Sequence, residues 1–410
     1  MATEPTDLAA QGTWHAPARV PWADPSRRRE AVLVLAGVDG VGDATFWELV
    51  SSHGGAGQVL ASAAAGHLSR AGDSAPAANV RRLPETVSKR IREAARNPRP
   101  ILDRVDQLAV WTVDAFDADY PERLRILDPP PPVLYGWGDR STLAAAASVA
   151  VVGTRRPTIA GRSLAARIAV RLVDGGAVVV SGLAIGIDGA AHAATVARGG
   201  STIAVLGGGH GSPGPRAHRQ LLRAICERGG AVISELPPAA VPSRGTFPRR
   251  NRIISALSDA VIVVEAPTRS GALITARHGL EQGRGVFVAP GRLGDPSVAG
   301  CLALLRETPA RVIAGLDELM LDLELAGPRP GQAAGMRRLD RAAALAMLPP
   351  AERTVAQALC DAPGDADRLV DRTGFTPQEV AAALTLLTLR GWVHASGPAY
   401  LPAGPLLAGS

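Results

Sequence analysis

The stretch SVAVVGTRRPTIAGRSLAARIAVRLVDGGAVVVSG, residues 148–182, contains two apolar, β-branched runs with a segment of helical periodicity between them. Neither run alternates polar with apolar residues, so both faces of each strand must be covered. The helical segment ends in Gly175-Gly176, a helix stop. Strand, helix and strand in that order predict a right-handed parallel crossover. The pattern continues through TIAVLGGG (202–209), AVISE (231–235), DAVIVVEA (259–266) and GVFVAPG (285–291). The fold class expected is α/β, a doubly wound and mostly parallel sheet.

Outward from this stretch the chain changes character. Residues 1–29 mix Pro, Ala, Trp and charge without periodicity and are expected to be a loose tail. Residues 30–100 are expected to be helical. VLAGVDGVGDATFWELVSSHG holds a Gly-x-x-Gly turn that resembles a helix-hairpin-helix, but a plain interhelical turn is the favoured reading. Residues 101–322 are expected to form the sheet domain, with extended pieces around the proline run of FDADYPERLRILDPPPPVLYGWGD. Residues 323–337 form a Gly/Pro linker, and 338–400 predict helices followed by a hairpin.

Composition sets further bounds. With 410 residues, 46% hydrophobic and 20% charged, the chain predicts several globular domains. The net charge of +6 suits an acidic partner such as nucleic acid, and Lys89 is the only lysine, so arginine carries the positive charge. Cys226, Cys301 and Cys360 are odd in number and lack zinc spacing, which predicts reduced thiols in a cytoplasmic protein. AVLVLAG (31–37) is too short and too soon followed by Asp39 and Asp43 to be a signal peptide, and no apolar run is long enough to span a bilayer. No membrane association is expected.

In open α/β sheets ligands bind at the carboxyl ends of the strands. There the sequence places Gly153, Thr154, Arg155 and Arg156, then Ser181 and Gly182, then Gly207, Gly208 and Gly209, and finally Gly291. Glycines gathered on one edge predict a floor for a phosphate-bearing ligand. Neither Gly-x-Gly-x-x-Gly nor a phosphate loop with lysine occurs, which argues against a dehydrogenase or nucleotide hydrolase. Arg249, Arg250, Asn251 and Arg252 are expected just inside a helix that starts after an extended Phe247-Pro248, where free N–H groups favour anions. Their charges are expected to stay wet; the other reading pairs them with Glu235 or Glu265. In RSGALITARHGL, Ser270 or Thr268 can cap a second helix, Gly271 admits close approach, and Thr275 follows a turn later. Asp188 and His192, four apart, lack a third ligand, so capping or packing roles are expected.

Together VVGTRRPTIAGR, SGLAIGIDGAAH, TIAVLGGG, FPRRNRIISALSDAVIVVEAPTRSGALITA and VFVAPG resemble the DNA-processing protein A (DprA/Smf) family. The resemblance is close over 101–316. It implies an extended Rossmann-like core, a helical N-terminal domain and a C-terminal winged helix. It also implies a cytoplasmic, non-enzymatic, cofactor-free protein that binds single-stranded DNA, loads the RecA recombinase during natural transformation and dimerises through the core. By motif position Arg155 matches a DNA-contacting arginine, the RRNR arginines and the Ser270-Gly271 helix start share its groove, and Arg216 falls where the family has a basic residue. The sequence departs from the pattern at Ile185, where arginine is usual, at Gly214 for tyrosine, and at Ala272 for serine. The segment GCLALLRETPARVI lacks the family's asparagine. In the winged helix Thr376 is expected to cap the recognition helix with Pro377 in its first turn; no arginine follows until Arg390, so the helix suits protein contact better than base readout. A rival reading is a nucleoside monophosphate hydrolase on the same core, but its Pro-Gly-Gly-x-Gly-Thr loop is missing and only Glu265 and Glu281 offer acids. A third is an architectural protein that recruits RecA with little DNA affinity of its own.

Overall fold

A computed structural model describes residues 22, 24–68, 83–243, 245–326, 341–346, 348–389, 392–396, 399–402 and 406. Most of the expected tail (1–21 and 23), most of the linker (327–337) and Arg390 lie outside the described residues.

Five helices come first: α1 (Arg28–Ala36), α2 (Asp43–His53), α3 (Ala56–Ala65), α4 (Glu85–Arg96) and α5 (Arg99–Gln107). The central sheet follows. Its strands are β1 (Trp111–Asp114), β2 (Val133–Gly138), β3 (Ser148–Val152), β4 (Val178–Ser181), β5 (Thr202–Val205), β6 (Ala231–Ser234), β7 (Ala260–Val263), β8 (Gly285–Val288) and β9 (Arg311–Val312). They lie in the order β1-β2-β6-β5-β4-β3-β7-β8-β9. The seven from β6 to β9 are parallel, with Val149 opposite Val179 on one side and Ala260 near it on the other. The chain therefore starts the parallel sheet at β3, winds outward through β4, β5 and β6, then returns to β7 beside β3. This reversal between β3 and β7 is the topological switch point.

The six apolar runs of the sequence are the six strands β3 to β8. Strands β1 and β2 are an antiparallel extension on β6, with Tyr135 opposite Ser234.

Alternate residues of the strands enter different cores, as a period of two requires. Val149 and Val151 pack against α6 (Ile159–Asp174), α7 (Ile187–Arg198) and α12 (Leu316–Ala326) through Ile168, Ala169 and Leu319. Ala150 and Val152 face α9 (Thr246–Ala256), α10 (Gly271–Glu281), α11 (Ala299–Glu307) and the N-terminal helices in one continuous core. Burial of a side chain such as Ile168, fully removed from water, is worth about 1.5–3 kcal/mol. Helix α8 (Arg219–Glu227) covers β5 and β6 through Ile225.

Helix limits follow local chemistry. The Thr158 hydroxyl accepts the Gly161 N–H at 2.9 Å and starts α6. Gly199, at φ 83°, stops α7. The C-terminal part has its own core, built from α14 (Pro350–Asp361), α15 (Ala366–Thr373), α16 (Pro377–Leu389) and the β10 (Val393–Ser396) and β11 (Ala399–Pro402) hairpin; α13 (Arg341–Ala346) precedes them. Thr376 caps α16 as expected: its hydroxyl accepts the Glu379 N–H at 3.3 Å, and the Glu379 carboxylate accepts the Thr376 N–H at 2.9 Å. No helix among the described residues is long and apolar enough to cross a membrane.

Candidate functional site

A cleft of about 540 Å³ opens at the switch point. Its floor is the loop after β3, Gly153 to Arg156. One wall is the first turns of α9, with Phe247, Arg250 and Asn251. The other is the loop after β7 and the start of α10, from Pro267 to Thr275. Ala184 and Asp188, after β4, close the back.

Backbone bonds hold the floor. The Thr154 N–H donates to Glu265 O at 2.7 Å, and Thr154 O accepts the Ile187 N–H at 3.2 Å. The Glu265 carboxylate is committed to Thr158, accepting its N–H at 3.0 Å and its hydroxyl at 2.7 Å. The two walls are tied by the Asn251 side-chain amide, which donates to Gly271 O at 3.1 Å. Ser270 is the cap of α10, its hydroxyl accepting the Ala272 N–H at 3.3 Å. A Cβ at Gly271 would meet no atom within 4 Å, so this helix start faces open space.

Among the described residues, four arginines and one aspartate line the cleft. Arg155, Arg156 and Arg269 are exposed, and among the described residues none has an ion-pair partner. The Arg155 guanidinium stands 5.3 Å from the centre of the Phe247 ring. Arg250 is buried and donates to Gly182 O at 2.8 Å and to Val205 O. Burial pushes its guanidinium down to about 10, so it remains charged at neutral pH. Burial pushes the Asp188 carboxyl up, against the pull of Arg250 and two backbone N–H groups. Its carboxylate accepts the Gly182 N–H at 3.1 Å.

The structure thus gathers Gly153, Thr154, Arg155, Arg156, Arg250, Asn251, Ser270, Gly271 and Thr275 around one cleft. It corrects other expectations. The helix begins at Thr246, so Phe247 and Pro248 lie in its first turn, where proline is tolerated. Consecutive helical residues then point about 100° apart, and the RRNR cluster disperses. Arg249 and Arg252 turn away from the cleft and meet Asp43 of α2, each at 2.7 Å, and Glu235, which lies 3.6 Å from Arg249. Side-chain exposure is 39% for Arg249 and 16% for Arg252, against 10% for Asp43 and 2% for Glu235. The charges of Arg250 and Arg252 are therefore not wet. The reading with Glu235 as partner holds for Arg249 and Arg252. It also fixes the Gly-x-x-Gly turn of the N-terminal helices, because Asp43 is the first residue of α2.

The glycine floor is largely a packing device. A Cβ at Gly182 would stand 2.5 Å from Arg250 Nη2, at Gly207 2.5 Å from the Phe247 ring, and at Gly208 2.8 Å from Pro242. These glycines admit neighbouring side chains of the protein itself. Ser181 is buried, its hydroxyl donating to Val151 O at 2.7 Å. Arg216 is exposed ahead of α8 and does not line the cleft. His192 is buried; the Thr202 hydroxyl donates to Val179 O and so accepts from the His192 Nδ1–H at 2.7 Å, which is a packing role.

Sequence reasoning missed Arg269 and Phe247 as cleft residues. Arg269 stood beside the Ser270 cap and shared its signal. The Phe247-Pro248 pair reads in sequence as an extended entry, which hides the Phe247 ring's place in the first turn of α9.

The fold is an open, doubly wound Rossmann-like sheet with an arginine-rimmed cleft at its switch point, joined to N-terminal helices and a C-terminal winged helix. The chain belongs to the DprA/Smf family: the family model described as DNA recombination-mediator protein A matches residues 111–324, and the DprA winged helix domain matches 340–397. The DNA processing protein DprA of Bacillus subtilis is 40% identical over 223 residues, 54% of this chain and 74% of that one. Protein Smf of Escherichia coli is 36% identical over 289 residues, 69% of this chain and 74% of that one. The X-ray structure of DNA processing protein A from Streptococcus pneumoniae superposes with a TM-score of 0.52 at 33% identity, covering 57% of this chain and 82% of that one.

Proposed function

We propose that this protein binds single-stranded DNA through its phosphate backbone in the switch-point cleft, and hands the strand to a RecA recombinase during DNA uptake and recombination. It acts without catalysis or cofactor, as a homodimer formed through the core, in the cytoplasm. The observation that carries the reading is the convergence of Arg155, Arg156 and Arg269, none of which makes an ion pair among the described residues, on the open start of α10. Exposed guanidinium groups and a helix N-terminus form a ready anion site. Among the described residues Phe247 is the one aromatic side chain lining the cleft, so base stacking adds to phosphate contact without replacing it. The family relationship to proteins named for DNA processing supports the same substrate class.

The test is fluorescence anisotropy of labelled oligonucleotides across a salt series. Binding should fall steeply with salt and vary little with sequence. Arg155→Ala and Arg269→Ala should weaken all single strands alike and reduce the log–log salt slope by about 0.7 per lost contact. Unchanged affinity and slope in both variants would refute the cleft as the binding site. Recombinase delivery is tested separately, by filament assembly on strands coated with single-strand-binding protein; no acceleration by this protein would end that part of the proposal.

A further inference from the structure

We infer that the aliphatic side chains Ile159, Ile185 and Leu293 form a rim around the cleft on which the bases of the bound single strand lie, while its phosphates sit among the arginines. The inference rests on the proposed function and extends it from the backbone to the bases. Among the described residues, the three most exposed large apolar side chains are Ile159 and Leu293, at 91%, and Val241, at 77%. All three stand on segments that leave the carboxyl ends of strands, after β3, β8 and β6. Ile185, 50% exposed, follows β4. The segments that enter β3 to β8 from the other edge are 145–147, 175–177, 199–201, 228–230, 257–259 and 282–284. They hold one large apolar residue, Leu257, and it is buried. Exposed apolar residues scattered singly are ordinary. Their segregation to the edge that carries the cleft is not, and folding gives no reason for it, because a side chain left in water adds no buried area.

Each of the three is fixed to the cleft by its neighbours. Ile185 follows Ala184, which lines the cleft, and precedes Gly186. A Cβ at Gly186 would stand 2.3 Å from Thr154 O and 2.8 Å from Arg155 Cα, so this segment lies directly on the floor. Ile159 is the first residue of α6, next to Thr158, which donates its N–H and its hydroxyl to the Glu265 carboxylate. Leu293 belongs to the segment between β8 and α11. Helix α11 is tied to the other wall by the Gly300 N–H, which donates to Ala266 O at 2.9 Å, beside Pro267 of the cleft. In the order β4-β3-β7-β8 the segments that carry the aliphatics therefore bracket those that carry Arg155, Arg156 and Arg269. Three inter-strand spacings separate β4 from β8, about 14 Å.

Cations flanked by apolar side chains fit a ligand that carries anionic and apolar groups in close alternation. A single strand of DNA is such a ligand, and an acidic membrane surface is another. The cleft favours the strand, because its arginines surround a concavity of about 540 Å³ that a flat bilayer surface cannot enter. Inside it Phe247 offers a single ring, so the other bases of a strand that crosses the edge rest on the rim. Aliphatic contact tolerates any base, since every base has an apolar face.

The test uses the full chain, an oligothymidylate of about twelve nucleotides, and a strand of equal length in which every base is replaced by an abasic site. The wild type should bind the thymidylate strand more than about tenfold more tightly than the abasic one at about 0.15 M salt. Ile159→Ser/Ile185→Ser/Leu293→Ser should weaken the thymidylate strand by about tenfold and so remove most of that difference. Abasic affinity and both salt slopes should not change, because apolar contact releases no counterions. Retained abasic binding also reports folding, since a misfolded variant loses both strands. The three single serine variants are read in the same way and should each lose about twofold on the thymidylate strand alone. Equal wild-type affinity for the two strands overturns this inference alone. So does a triple variant of wild-type thermal stability that binds the thymidylate strand unaltered or loses both strands alike, and so do single variants without effect where the triple variant melts early. Sedimentation of the wild type, but not of the triple variant, with vesicles of phosphatidylglycerol and phosphatidylcholine assigns the rim to a membrane and overturns it too. A wild-type protein that binds neither strand overturns the functional reading and this inference together.

Discussion

Replacing Glu235 with glutamine separates two forces that meet where α2 docks on α9. The Glu235 side chain is 2% exposed and shares Arg249 and Arg252 with Asp43. Burial pushes its carboxyl up from an ordinary 4.5 to about 7; the two arginines oppose the rise and Asp43 adds to it. Between those pH values the folded protein keeps a proton that the unfolded chain has lost. The stability contributed by the protonated group is therefore complete below 4.5 and is lost as pH rises through 7. At about 1.4 kcal/mol per pH unit, the loss approaches about 3 kcal/mol. Glutamine has no proton to lose. Glu235→Gln should match the wild type near pH 4.5 and exceed its stability by about 3 kcal/mol at pH 8. Burial holds His192 and His210 down to about 3 and about 4, which gives both proteins the same opposite slope and cancels in the difference. Urea unfolding of both proteins at several pH values between 5 and 8 measures that difference. A variant less stable than wild type at pH 8, by the roughly 3–5 kcal/mol expected when a buried charge loses its partner, would refute the reasoning and show that the arginines, not burial, dominate.

Gly182→Ala and Gly271→Ala should differ sharply in thermal denaturation. The first places a Cβ 2.5 Å from a guanidinium that is itself buried and bonded to two carbonyls, and should cost about 1–3 kcal/mol. The second meets no atom within 4 Å and should stay within about 0.5 kcal/mol of wild type; equal effects would contradict the packing role of the strand-end glycines. Thr376→Ala removes the capping box of α16 and should cost the winged helix about 1 kcal/mol, seen as faster amide exchange confined to residues 350–402. Faster exchange in β3 to β8 would show instead that the two parts unfold together.

The strands β3 to β8 were legible because a parallel strand covered on both faces must be continuously apolar, and a helix that turns back needs a stop such as Gly175-Gly176 or Gly199-Gly200. The edge strands β1 and β2 were less so. They flank a proline run, and the place of β2 beside β6, with β1 outside it, depends on a pairing between residues about a hundred apart in sequence. The cleft was legible in part: Arg155 lies just past β3, Gly271 opens α10 after β7, and Arg269 shares the signal of the Ser270 cap beside it.

The sequence by itself determined the alternation of buried strands and helices, the edge where a ligand would sit, and an excess of arginine near that edge. Only the tertiary structure decided which arginines remain available. Arg249, Arg250 and Arg252 are neighbours in the chain, yet a helix rotates each by about 100°, so one enters the cleft wall and two face a different part of the fold. Their partner Asp43 lies 209 residues from Arg252. No local pattern encodes a charge pair at that separation, because it exists only once the N-terminal helices have packed on the sheet.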